Sequence, residues 1–90
     1  MKIFKVPTDE LPIELQEMLS EKLIISAQLF EYDTTDHDEY VVSFIDLKKD
    51  EMVELVFENG KVTRKKSISL VLIKKAMELH PVVFGKEIKQ

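Results

Sequence analysis

The chain has 90 residues, 44% of them hydrophobic, a formal net charge of -4 and no cysteine. That length makes one domain, residues 1–90, with a modest core, because domains most often run to about 100–150 residues and small ones bury a smaller share of their surface. The hydrophobic content excludes wholesale disorder, the absent thiols exclude a disulfide framework or thiolate site, and the acidic balance argues against a general nucleic-acid coat.

The opening MKIFKVPTDELP lacks the apolar centre of a signal peptide. No run approaches the roughly 20 apolar residues of a membrane span. The expectation is a cytoplasmic domain without a membrane partner.

Lys2 to Val6 predicts a short strand and Pro7 to Glu10 a turn. Leu11-Pro12 opens a helix, since proline is tolerated in the first turn, where its missing N–H has no partner. Leu11, Leu15, Met18, Leu19 and Leu23 follow helical spacing, with Glu14, Glu17 and Glu21 to the wet side. The early glutamates suit the positive end of the helix dipole.

From Leu23 the period becomes two. Leu23, Ile25, Ala27 and Leu29 form one apolar strand face, and Ile24, Ser26, Gln28 and Phe30 the other. Asp33 to Asp38 is a polar connector. Glu39 to Leu47 carries apolar groups on both faces, Tyr40, Val42 and Phe44 against Val41, Ile45 and Leu47, as a central strand covered on both sides does. Lys48-Lys49-Asp50 turns the chain, and Glu51 to Glu58 then puts Val53, Leu55 and Phe57 on one face.

Asn59-Gly60 is the strongest local signal, because both residues tolerate the positive φ of a two-residue type I′ hairpin. Regular pairing from that turn sets Glu58 against Lys61, Phe57 against Val62 and Glu54 against Lys65. It also places Arg64 and Lys66 on the inner face, which only an edge strand accepts, its long side chains reaching round the rim.

Ser67 to His80 reads as one helix. On a wheel its apolar residues fill an arc of roughly 200°, where about 100° suffices for a surface helix. Ser67 is positioned to cap its start, and Pro81 stops it. The run Ile68 to Ile73 also fits a short buried strand, and the single helix is the preferred reading. Val82, Val83 and Phe84 offer one more short apolar piece, a C-terminal strand at most, and residues 86–90 are expected to fray. The fold class is therefore α+β: an antiparallel four- to five-stranded meander, order β-α-β-β-β-β-α, with both helices on one face.

Chemistry is sparse. Asp33, Asp36, His37, Asp38 and Glu39 are acidic enough to suggest a cation, yet lack the alternating ligands and mid-loop glycine of a calcium loop; they read as a solvated connector. Neither His37 nor His80 has a sequence partner that would make it a base, and His80 reads as a helix-end residue near free carbonyls. Ser20, Ser26, Ser43, Ser67 and Ser69 lack a nucleophile-elbow context. Gly60 and Gly85 are the only glycines, so no phosphate-cradling loop exists. The expectation is no enzyme, no metal and no cofactor.

Lys61, Arg64, Lys65 and Lys66 form the one basic cluster. It reads as a soluble edge paired with Glu54 and Glu58, or as a contact for phosphates. Lys65-Lys66-Ser67-Ile68-Ser69-Leu70, followed by a helix, resembles the close of the Whirly-like transcriptional-coactivator family that binds single-stranded DNA, where a meander ends in a lysine-rich GISL piece before a helix. Ser67 stands in place of the glycine, Val71-Leu72-Ile73 in place of a polar helix start, and the leading strand and helix are additional. The resemblance covers six residues. It implies single-stranded nucleic-acid binding through Lys61, Arg64, Lys65 and Lys66, with Phe30, Tyr32 and Tyr40 as stacking candidates.

The leading functional expectation is a non-enzymatic protein-interaction or regulatory module, an accessory or inhibitor-type protein such as mobile elements carry; nucleic-acid binding is the alternative. The apolar arc of Ser67–His80 exceeds what one sheet face covers. Leu70, Ile73, Met77 and Phe84 are the candidate protein interface, and a symmetric homodimer is the simplest way to cover them.

Overall fold

The computed structural model describes residues 1–33 and 38–79. Its frame is a five-stranded antiparallel sheet in which every strand lies beside the next in sequence: β1 (Lys2–Lys5), β2 (Leu23–Glu31), β3 (Asp38–Asp46), β4 (Glu51–Glu58) and β5 (Lys61–Ser69). Two helices accompany it, α1 (Ile13–Met18) between β1 and β2, and α2 (Leu70–Leu79) after β5. No helix among the described residues is long and apolar enough to cross a membrane.

One face of the sheet carries the core. Ala27, Val42, Phe44, Val53, Leu55 and Phe57 point to it from β2, β3 and β4, and Leu11, Leu15 and Leu19 cover them from the α1 segment. Leu15 and Val42 are wholly inaccessible to water. Six residues are too few for a helix to persist unaided, so α1 exists because these leucines are buried. The Gln16 side-chain amide ties it down locally, donating to the carbonyls of Leu11 (2.7 Å) and Asp9 (3.2 Å).

The helix is shorter than its leucine spacing predicts. Pro12 caps it in an extended conformation, Leu11 precedes it in the extended region, and Leu19 closes it. The residue before a proline avoids the α region, so Leu11 packs from outside the helix. Leu23 belongs to β2 and is half exposed.

Each face assignment made by strict alternation in β2 and β5 changes at one extra residue. In β2, Ile24 pairs with Phe44 and Ser26 with Ser43, leaving Ile25 as a bulge. Ile24 therefore packs on the core, and Ile25, expected on the apolar face, is exposed. In β5, Val62 pairs with Phe57 and Arg64 with Val56, leaving Thr63 as the extra residue. Its hydroxyl donates to the Val56 carbonyl at 3.4 Å. Arg64 and Lys66 thus leave the helix-side face where alternation put them, and Lys65 takes its edge, opposite Leu55.

The turns follow the sequence closely. Asn59 (φ 52) and Gly60 (φ 80) both adopt the left-handed conformation that a type I′ hairpin needs. At the β3–β4 turn Asp46, 8% exposed, accepts the backbone N–H groups of Lys48 (3.1 Å) and Lys49 (3.2 Å), and Asp50 takes a positive φ. Leu47, expected opposite Val42 on a covered face, is exposed beyond the end of β3.

The expected helix Ser67–His80 begins three residues late. Ser67, Ile68 and Ser69 complete β5, pairing with Val53, Met52 and Glu51. The helix then starts at Leu70, whose N–H reaches the Asp50 carbonyl at 2.9 Å. Ser69, not Ser67, supplies the capping hydroxyl, accepting the Val71 N–H at 3.2 Å. Branched Ile68 favours a strand, and β4 offers it a ladder as far as Glu51. His80, the Val82–Phe84 piece and the 86–90 tail lie outside the described residues, as do Asp36 and His37.

Candidate functional site

Functional groups gather on three surfaces: α2, the sheet face opposite α1, and the hollow beside α1. The first is the most unusual. None of the ten residues of α2 is buried, and its only substantial contact among the described residues is with β5, which it continues. Leu70, Ile73, Ala76 and Met77 form a half-buried stripe, whereas Val71, Leu72 and Leu79 are exposed at 57%, 62% and 73%. Three of the candidate interface residues, Leu70, Ile73 and Met77, therefore share one side of α2, while Phe84 lies outside the described residues. Leu72 and Leu79, seven residues apart, form a second and wetter apolar stripe. Their place at the other end of the same wide arc was visible in the sequence.

The second surface is the sheet face away from α1. Phe30, Tyr32, Glu39, Val41, Val56, Arg64 and Lys66 share it, and several of them surround a shallow cavity of about 200 Å³. The Tyr32 hydroxyl donates to Glu39 Oε1 at 2.7 Å, and the Phe30 and Tyr32 rings stand 6.5 Å apart, tilted by 40°. That hydrogen bond is the chief cause of a phenol pKa above the ordinary 10.0. Val56 is only 7% exposed on this face, where Arg64 is its cross-strand partner and a long aliphatic stem shelters apolar surface.

Of the basic cluster, Lys61, Arg64 and Lys66 fall on this second face, and Lys65 on the first. Glu58 faces Lys61 as expected, but Glu54 faces Lys66. Tyr40, the third stacking candidate, points into the core side instead, beside Phe57. The grouping of Phe30 and Tyr32 with Arg64 and Lys66 escapes regular alternation, because it depends on the extra residue at Thr63. One signal was present: strict alternation put two cations on an apolar face, and a one-residue shift removes that conflict.

Of the acidic connector, only Asp33 and Asp38 belong to the described residues, with Glu39 following in β3. Asp33 pairs with the amino terminus of Met1 at 2.6 Å, and Glu39 is engaged by Tyr32. Among the described residues no group of three His, Cys, Asp or Glu side chains could hold a metal ion. The open depression beside Thr8, Asp9 and Gln16 brings together no paired acid and base of the kind proton transfer requires.

No protein-family model matches the chain, and no curated protein or solved structure matches it either.

Proposed function

We propose that the chain is a non-enzymatic interaction module that contacts protein through α2, and that the contacted protein is a second copy of the same chain. One observation carries this reading: a ten-residue helix with none of its side chains buried. Helices shorter than about 12–15 residues are marginal in water without tertiary packing. Exposed Val71, Leu72 and Leu79 give α2 a surface that association covers, and a two-fold pair of such helices is the simplest closed arrangement. In this role the chain acts as an accessory or inhibitor-type protein and performs no chemistry of its own.

Light scattering after size exclusion tests it. The expected mass rises above the 10.5 kDa monomer on concentrating, and Leu72→Asp abolishes the rise while leaving the circular dichroism of the sheet intact. A mass fixed at 10.5 kDa across the concentration range would overturn the self-association.

A second reading has its own support. Arg64 and Lys66 share a face and a cavity with Phe30 and Tyr32, a combination of cations and π-faces that suits single-stranded nucleic acid. Glu39 and Glu54 line the same cavity and weaken an anion's attraction to it, so this reading stands second. Titration with a labelled oligonucleotide at low and moderate salt decides it: binding should weaken steeply with salt and disappear in Arg64→Glu.

A further inference from the structure

We infer that β5 presents its outer edge, which no described strand covers, to an extended acidic segment of a partner protein, which adds to the sheet as one further strand. The inference rests on the reading of the chain as an interaction module, and it uses a surface separate from the apolar stripe of α2.

Among the described residues β5 ends the sheet, and Lys61 to Ile68 are all exposed. An edge strand leaves a row of backbone N–H and C=O groups without ladder partners, and an added strand satisfies them. Strand addition by a second copy is disfavoured by charge. Antiparallel pairing of β5 with itself about Lys65 sets Lys65 against Lys65 and Arg64 against Lys66, and like charges directly opposite are destabilising. Glu39 and Glu54 line the cavity beside Arg64 and Lys66 and offset part of this charge for any anion, peptide or nucleic acid alike; what favours a peptide here is the backbone ladder of the edge. Glu58 and Glu54 stand across from Lys61 and Lys66, while Arg64 and Lys65 stand across from Val56 and Leu55. A segment with carboxylates on both of its faces complements the cations of β5, Lys61, Arg64 and Lys66 on one face and Lys65 on the other.

A second feature selects an apolar residue within that segment. α1 stops short of β5 and leaves a hollow of about 260 Å³ on the helix side. Met18, Leu55 and Val62 give it an apolar side, and the ionic groups of Lys22, Asp46, Lys49 and Glu51 line it as well. A strand laid along β5 directs alternate side chains to this side, so an aliphatic residue beside Val62 reaches the hollow while its neighbours meet the lysines. Nucleic acid supplies the negative charge but no ladder of backbone donors and acceptors.

The probe is a fluorescently labelled peptide of about ten residues, glutamate throughout except for one central valine, so that an extended strand carries carboxylates on both faces; it is titrated into the full-length chain at low ionic strength and followed by anisotropy. Saturable binding is expected, with affinity falling at least about tenfold in Arg64→Glu/Lys65→Glu. Two further peptides carry N-methyl groups on alternate backbone nitrogens, one in each phase. Strand addition requires that one phase abolish binding and the other retain it. Equal binding of both phases overturns the proposal in favour of simple charge attraction, and this arm uses the unmodified chain, so it does not depend on a variant's folding. Absence of binding overturns it as well. Tighter binding of a thymidine oligonucleotide, lost in the same double variant, assigns the surface to nucleic acid instead. None of these outcomes moves the concentration-dependent mass that tests α2, so the two readings fail separately.

Discussion

Lys66 stands directly across the β4–β5 ladder from Glu54, one residue away from the pairing that the Asn59-Gly60 turn would set in a regular hairpin. The extra residue at Thr63 causes the shift, and it decides which cations face which side of the sheet.

This register is measurable by double-mutant cycles in urea denaturation. Glu54→Gln with Lys66→Gln should show a coupling of about 0.2–1 kcal/mol, the range for an opposite-charge cross-strand pair. The same cycle between Glu54 and Lys65 should show none within error. A larger coupling with Lys65 would mean that Thr63 is not bulged in solution.

Leu15 and Leu72 are both helical leucines, and they should differ sharply. Leu15 is wholly buried against the sheet, so Leu15→Ala should cost about 2–5 kcal/mol. Leu72 is 62% exposed, so Leu72→Ala should stay within about 0.5 kcal/mol under dilute, monomeric conditions. Comparable losses would show that α2 belongs to the monomer's own core.

Asp46 serves two backbone N–H groups through Oδ1 and lies 3.9 Å from Lys22 Nζ through Oδ2. Asp46→Ala strands those donors at the β3–β4 turn and should cost about 1–3 kcal/mol. Asp46→Asn keeps an acceptor for them and should cost less. Equal losses from the two variants would make the charge on Asp46, not its acceptor role, the source of its contribution.

Tyr32 gives a pH signature. Its hydrogen bond to Glu39 raises the phenol pKa above 10.0. The stability tied to the neutral phenol is complete below the unfolded value and is lost as pH rises through the higher folded one. In a Tyr40→Phe background, tyrosinate absorbance should report Tyr32 titrating above 10.0, and Glu39→Ala should bring it back toward that value. No response to Glu39→Ala would mean the bond is not formed in solution.

Gly60 contacts nothing that an added Cβ would meet, yet its φ of +80 is one that side chains resist. Gly60→Ala should therefore cost about 1–2 kcal/mol through backbone strain alone. A neutral effect would show that the hairpin turn relaxes to another type.

The sequence by itself determined where the five strands lie, the last of them only as far as Lys66, the hairpin at Asn59-Gly60, and most of the core. Leu15, Val42, Phe44, Val53, Leu55 and Phe57 sit where period-two and helical spacing put them, because burial of apolar surface enforces those periods locally. Tertiary structure alone decided three things. The bulges at Ile25 and Thr63 each moved neighbouring side chains across the sheet, because a one-residue slip inverts every face beyond it and alternation carries no mark of where the slip occurs. The division of Ser67–Leu79 between strand and helix followed from the length of ladder that β4 offers to Ser67, Ile68 and Ser69, a non-local partner that overrides local helical spacing. The candidate surfaces came last, since Phe30 and Arg64 lie far apart in sequence and meet only through the pairing of β2 with β3, β3 with β4 and β4 with β5.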